Sequence, residues 1–92
     1  MIQSIKHRGL KRFHERGDAS RLNPNHIRRL QLILTALDAA TTVEDMAFPG
    51  SGLHRLRGDL EGFWSVKVSG NWRLIFRFEN GDAYDVDYLD YH

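Results

Sequence analysis

The 92-residue chain contains no cysteine, which excludes a disulfide framework and a zinc site built on thiolates. It also lacks an apolar run of about 18–20 residues, the length that a membrane-spanning helix requires. No apolar stretch typical of a secretory signal follows the N-terminus. From these absences we expect a cytoplasmic protein without a membrane anchor. An apolar fraction of 41% with two Trp, three Tyr and five Phe favours one packed domain over residues 1–92.

Lys and Arg are absent after Arg77, although the formal net charge of the whole chain is only +1. The acids collect at that end, while the segment up to Arg29 is strongly basic. Most of the basic residues are arginines, whose planar guanidinium binds phosphate through two parallel hydrogen bonds. This segregation indicates a surface that binds a polyanion. A solvated charge pattern on two amphipathic helices is an equal alternative for the N-terminal block.

Hydrophobic periodicity predicts a short strand followed by two helices in the first half of the chain. The short strand is expected over residues 1–6. Residues 8–16 carry apolar side chains three apart and end before Gly17, a residue suited to a helix C-terminus. Asn23 can cap a second amphipathic helix over residues 24–40, in which apolar residues recur at spacings of three and four.

The second half of the chain shows the alternation of antiparallel strands. Candidate strands cover residues 52–57, 63–68, 72–78 and 83–89, and Asn80-Gly81 between the last two is a hairpin signal. The pattern predicts an α+β fold in which two helices pack on one face of a small, mainly antiparallel, twisted sheet. The opposite face is expected to be open and polar.

The register of the last hairpin follows from burial. A two-residue loop would oppose core and polar residues, for example Arg77 with Tyr84. One more loop residue gives the core residues apolar partners and pairs Arg73 with Asp87. Because a slip of one residue turns every side chain to the other face, we expect the register with the longer, bulged loop. The pairs that it predicts on the helix side are Phe76–Tyr84, Leu74–Val86 and Trp72–Tyr88.

The open face is expected to carry the groups that RNA cleavage requires. Histidine can move a proton from a ribose 2′-OH or to a leaving oxygen. Arginine can neutralise the phosphate, and an aromatic ring can stack on an unpaired base. The candidates for catalysis are His54, Arg73, Asp90, Tyr91 and His92, and the candidates for RNA binding are Arg55, Arg57, Lys67 and Arg77.

Each of these candidates also has a purely structural interpretation. His54 lies between two leucines and, taken alone, is more readily a partly buried histidine bonded to backbone. An exposed Arg73–Asp87 pair would contribute only about 0–1 kcal/mol to stability. Tyr91 and His92 can be a frayed terminus. Residue types alone therefore do not decide the function.

A combination of segments along the chain is more specific. The segments are Ile2-Gln3-Ser4-Ile5-Lys6-His7, Leu53-His54-Arg55-Leu56-Arg57-Gly58-Asp59, Asn71-Trp72-Arg73 and the final Asp90-Tyr91-His92. In this combination, and over its whole length, the chain resembles the HigB branch of the RelE/ParE superfamily of bacterial toxins.

The resemblance implies a ribosome-dependent mRNA endonuclease that uses neither metal nor cofactor and works in the bacterial cytoplasm. Its substrate would be mRNA in the 30S A site, beside ribosomal RNA. It would be inhibited by a HigA-like helix-turn-helix antitoxin, which alone would contact operator DNA. The matching catalytic positions are His54, Asp90, Tyr91 and His92, and the matching basic positions of the cleft are Arg57 and Arg73. Since arginine stays charged, a histidine rather than Arg57 would act as the base.

Two other functions are compatible with the same fold. The chain can be a non-enzymatic, ParE-like inhibitor of DNA gyrase, or a degenerate toxin kept for antitoxin binding and operon autoregulation. The two candidate histidines argue against a pure inhibitor, because binding alone needs no pair of groups that titrate near neutrality. Cleaved gyrase–DNA complexes with intact mRNA would favour the first alternative. Growth unaffected by induction of the toxin would favour the second.

Overall fold

The computed structural model describes residues 1–91, which form two α-helices and a four-stranded antiparallel sheet. The helices are α1 (Arg8–Arg16) and α2 (Ile27–Ala39), and the strands are β1 (His54–Arg55), β2 (Trp64–Ser69), β3 (Trp72–Glu79) and β4 (Asp82–Asp90). The strands lie in the order β1-β2-β3-β4. This confirms the expected α+β architecture. No helix in residues 1–91 is long and apolar enough to cross a membrane.

Helix α1 has the predicted bounds because its two ends are capped. The His7 ring accepts a hydrogen bond from the Leu10 N–H at 3.1 Å, and Gly17 ends the helix with φ 73°. The second helix starts later than predicted. Asn23 caps a 3₁₀ turn over Pro24–His26, and the α-helix begins only after that turn.

The expected N-terminal strand is reduced to two isolated parallel bridges beside β4. They join Ile2 to Ala83 and Ile5 to Val86. Between them the Asp85 N–H donates to the Ser4 hydroxyl at 2.8 Å rather than to a backbone carbonyl. A regular ladder therefore does not form, and the first residues line only the initial part of β4.

The main core lies between the helices and one face of the sheet. Its fully buried side chains come from α1, α2, the 3₁₀ turn Val43–Met46 and the three longer strands: Leu10, Leu30, Ile33, Leu37, Met46, Val66, Leu74, Phe76, Ala83 and Val86. Helical spacing in α2 and alternation in the strands account for this set.

The β3–β4 hairpin does not have the predicted register. Glu79 pairs with Asp82, so the loop contains only Asn80 and Gly81. Both loop residues have positive φ, 51° and 82°, as in a type I′ turn. This turn matches the right-handed twist of the strands, and it determines the loop length here. The prediction of a longer, bulged loop is wrong.

The extra residue lies instead within β4, at Asp85. The pairing shifts between Ile75 and Arg77, and Asp85 has φ 53°. Beyond this bulge Ile75 pairs with Asp87, and Arg73 pairs with Leu89. The predicted Arg73–Asp87 pair is therefore wrong, and the partners are displaced by two residues.

The bulge also changes which residues of β4 enter the main core. Ala83, before the bulge, is fully buried, as is Val86 after it. Tyr84, predicted to face inward, is only half-buried and pairs with Arg77. Extra residues of this kind reverse the alternation of a strand, which explains why strict period-two counting failed here.

A second, smaller apolar cluster covers part of the opposite face. Leu56, Phe63 and Ile75 are buried there, with Leu60 and Leu89 packed against them. Leu56 turns into this cluster instead of continuing the strand predicted over residues 52–57, so β1 has only two residues. The face expected to be open is therefore apolar at its centre and charged around it.

The bulge at Asp85 predicts an order of stability for two variants that is the opposite of the order expected from β-propensity. Asp85→Val is expected to lower the free energy of unfolding by roughly 1–2 kcal/mol, because a β-branched residue tolerates positive φ poorly. Asp85→Gly is expected to stay within about 1 kcal/mol, since it loses only the exposed ion pair with Arg77. Urea unfolding of both variants measures the difference. If the Val variant is at least as stable as the Gly variant, the bulge is not at Asp85.

Candidate functional site

His54 lies on the face of the sheet opposite the helices. It pairs with Ser65, which alternates with the core residue Val66 and so points away from the main core. The exposed His54 ring has Nδ1 2.9 Å from the Gly52 carbonyl oxygen. Because a carbonyl only accepts, Nδ1 carries the proton, and Nε2 of the neutral ring is left as an acceptor. An accessible Nε2 of this kind can act as a general base.

Lys67 lies next to His54 on the same face. Its backbone N–H donates to the Ser51 carbonyl oxygen at 2.8 Å. Its side-chain stem packs on Gly52, where an added Cβ would be 3.4 Å from the Lys67 Cγ and Cδ atoms. The same glycine therefore contacts both the imidazole of His54 and the stem of Lys67.

Lys67 and Arg73 form a like-charged pair. They are direct cross-strand partners on β2 and β3, an arrangement that electrostatic repulsion destabilises. Neither side chain forms an ion pair with an acid in residues 1–91. Arg73 Nη1 donates to the carbonyl oxygens of Gly70 (2.6 Å) and Trp72 (3.1 Å). Two adjacent cations without an acidic partner among residues 1–91 make this part of the face suitable for an anion.

Arg77 lies on the same face as Arg73, on the other side of the buried Ile75. Its guanidinium carbon is 4.4 Å from the centre of the Phe63 ring, and Nε is 3.5 Å from Asp85 Oδ2. Arg77 is thus already bound to an aromatic ring and a carboxylate.

The structure does not bring Arg55 to the face that carries His54. Arg55 pairs with Trp64 and lies over that ring, with the guanidinium carbon 5.4 Å from its centre. Successive strand residues point to opposite faces, which separates Arg55 from its neighbour. Arg57 is exposed after β1, where Arg55, Leu56, Arg57 and Glu61 line a depression of about 350 Å³ at the sheet edge.

The end of β4 is attached to the β2–β3 turn. Asp90 is the partner of Trp72, and the Tyr91 N–H donates to the Asn71 carbonyl oxygen at 2.8 Å. The described end of the chain is thus bonded to the turn that Arg73 also contacts. His92, the remaining catalytic candidate, lies outside the described residues.

The candidate site therefore has two parts. His54 is on β1 and Asp90 is on β4, and three strand spacings separate these strands by about 14 Å. Lys67 and Arg73, on the two strands between, connect the parts. A ligand that contacts both ends must extend across the sheet.

Two further features were not apparent from the sequence. Ser65 points away from the main core but is fully buried, and its hydroxyl has no hydrogen-bond partner in residues 1–91. His26, Trp72 and Tyr88 cluster behind the end of β4. His26 and Tyr88 are 62 positions apart, so no local pattern links them. Burial raises the pKa of the Tyr88 phenol, which therefore stays neutral at physiological pH.

Comparison with known families identifies the chain. A model described as the RelE-like toxin of the type II toxin–antitoxin system HigB matches residues 3–92. The chain belongs to the HigB-like toxin family. Endoribonuclease HigB of Proteus vulgaris is 45% identical to this HigB-like chain over 92 residues, covering 100% of both proteins. Toxin HigB-1 of Vibrio cholerae serotype O1 is 36% identical over 94 residues, covering 100% of this chain and 98% of the relative.

Solved structures share the fold of this HigB-like chain. In the YoeB–YefM complex from Staphylococcus aureus, a chain aligns with a TM-score of 0.63 at 15% identity, covering 100% of this chain and 95% of the other. The YoeB dimer from the same organism aligns at 0.62 with 14% identity, covering 99% and 94%. At these identities the likeness shows the fold alone, and it agrees with the expected α+β architecture.

Ser65 gives a prediction about stability. Ser65→Ala is expected to raise the free energy of unfolding by roughly 1 kcal/mol, because a buried hydroxyl without a partner loses its hydration on folding. Ser69→Ala, on the exposed end of the same strand, is the matched control and should change stability by less than about 0.5 kcal/mol. Urea unfolding measures both. A marked loss of stability in Ser65→Ala would show that the hydroxyl is hydrogen-bonded.

Proposed function

We propose that this HigB-like chain is an endoribonuclease toxin that cleaves mRNA on the ribosome with the sheet face that carries His54. The Proteus vulgaris relative is an endoribonuclease by name. The observation that carries the proposal is the like-charged pair of Lys67 and Arg73 beside the exposed imidazole. Such a pair costs stability in the free protein and becomes favourable when a phosphate lies between the two cations.

The proposed chemistry is attack of a ribose 2′-OH on the adjacent phosphate. The bond from O2′ to phosphorus forms and the bond from phosphorus to O5′ breaks, leaving a 2′,3′-cyclic phosphate and a free 5′-OH. One of His54 and His92 takes the proton of the 2′-OH, and the other gives a proton to the leaving O5′. Arg57 is not a candidate base, because arginine keeps its proton.

The remaining residues of the site have supporting roles in this proposal. Lys67 and Arg73 neutralise the charge that develops on the phosphate oxygens. Arg73 can do so while Nη1 stays bonded to the turn, because the guanidinium has further N–H donors. Tyr91, whose side chain is exposed, stacks on or orients a base, and Asp90 orients a histidine or an arginine.

The ribosome and an antitoxin complete the proposal. The two parts of the site are about 14 Å apart by strand spacing, so the substrate must be held in an extended, fixed geometry. The mRNA in the 30S A site, supported by ribosomal RNA, would have such a geometry. As a member of a toxin–antitoxin family the chain has an antitoxin partner. We propose a HigA-like helix-turn-helix protein, which would also bind the operator DNA.

The cation pair provides the test of this proposal. Lys67→Ala and Arg73→Ala are each expected to slow mRNA cleavage on translating ribosomes by roughly 10²-fold, because each removes a charge from the reacting phosphate. Arg28→Ala, at an exposed position of α2, is the matched control and should cleave at the original rate. Primer extension on mRNA from a reconstituted translation reaction measures the rates. Unchanged cleavage by both site variants would contradict the proposed position of the phosphate.

A further inference from the structure

We propose that His26, Tyr88 and Trp72 are positioning residues, which hold the Asp90–Tyr91 end of β4 against the β2–β3 turn. The functional half of this inference rests on the proposed role of that end in mRNA cleavage. Its structural half concerns the free protein and can be tested without any cleavage.

The first step is a buried polar bond between the helical layer and the last strand. His26 and Tyr88 are each 5% exposed. His26 Nδ1 and the Tyr88 hydroxyl share a hydrogen bond, although the two residues are 62 positions apart. His26 belongs to the 3₁₀ turn that precedes α2, and Tyr88 lies near the end of β4. The bond therefore fixes the end of β4 relative to the start of α2.

The second step is the stacking of Trp72 on this pair. The rings of Trp72 and Tyr88 are stacked, with centroids 4.8 Å apart and planes at 30°. The His26 ring meets Trp72 edge-on at 5.6 Å. Trp72 is the first residue of β3 and the register partner of Asp90. The cluster thus fixes the backbone pair to which Asp90 belongs.

The third step is the environment of the tail itself. The N-terminal residues bridge β4 at Ala83 and Val86, so in residues 1–91 their bridges do not extend to the last part of the strand. That part pairs with β3 on its other side, and the Tyr91 N–H continues the contact to the Asn71 carbonyl oxygen. Since the bridges of the N-terminal residues reach Val86, the strand end beyond it is positioned in residues 1–91 by its pairing with β3 and by the cluster behind it.

A directed hydrogen bond fixes the position of the Tyr88 ring more closely than apolar packing alone. Leucine at position 26 and phenylalanine at position 88 would fill the same space, but without the hydrogen bond the ring at position 88 could slide along its neighbours. The bond fixes how deep the ring lies, and through the stacked Trp72 it fixes the strand end. Small displacements matter here, because a shift of about 1 Å in a reacting group can cost roughly 10²-fold in rate.

The test is the double variant His26→Leu/Tyr88→Phe, which keeps the rings or their volume and removes the bond. Replacing both partners by apolar groups is expected to leave the thermal midpoint nearly unchanged. Exchange of the Tyr91 amide hydrogen should become at least about tenfold faster, as expected for a local opening of the strand end. The maximal cleavage rate at saturating ribosomes should fall by roughly 10- to 100-fold with unchanged half-saturation.

The control is Ile33→Val, a fully buried change on α2 in the same core. It is expected to lower the thermal midpoint while leaving Tyr91 exchange and the cleavage rate unaltered. His26→Asn is the rescue variant, because its amide can reach the position of Nδ1 and restore the bond. Should the double variant fail to fold, Tyr88→Phe alone, which keeps both rings, replaces it in each measurement.

The outcomes separate this inference from the proposed function. Tyr91 exchange that stays at the original rate in the variants without the bond overturns the inference. Faster exchange with undiminished cleavage also overturns it, because the position of the tail would then not affect the reaction. If the original protein fails to cleave mRNA, the proposed function fails, and the exchange rates alone decide whether the cluster holds the tail.

Discussion

The extra residue in β4, at Asp85, determines which side chains of the last strand face the helices. Ala83 is buried before the bulge, and Val86 and Tyr88 are buried after it. Without the shift, strict alternation from Ala83 would turn Asp87 toward the core and Tyr88 away from it. The cluster behind the tail and the pairing of the tail with β3 both depend on this reversal. The strained, positive φ of Asp85 is tolerated because this residue sets which face the following residues of β4 point to.

The two faces of the sheet differ in composition because the helices cover only one of them. The face toward the helices forms the main core, and its side chains account for most of the buried apolar residues. The other face has only the small cluster around Ile75, and the charged side chains surround it. Lys67 and Arg73 lie side by side there at a cost to stability. Local rules that a protein breaks in this way are expected at functional sites.

Much of the fold followed from periodicity and capping, and the errors have identifiable causes. The bounds of α1 were predicted because Gly17 marks its end, and the four later strands were predicted in number but not in length. The predicted hairpin register was wrong because it was chosen from burial alone. The observed two-residue loop is favoured because its type I′ geometry fits the twist of the strands. For the site, alternation predicted that Arg73 lies on the face away from the helices. It could not show that Leu56 ends β1 early, or that residues 26 and 88 meet.

The central claim is that a histidine-based site on this face cleaves mRNA during translation. The most direct measurement compares the original chain, His54→Ala/His92→Ala and the exposed α1 control His14→Ala in one reconstituted translation reaction. The original chain and the control are expected to cleave mRNA, and the double variant is not. Intact mRNA with the original chain, or full cleavage by the double variant, would contradict it.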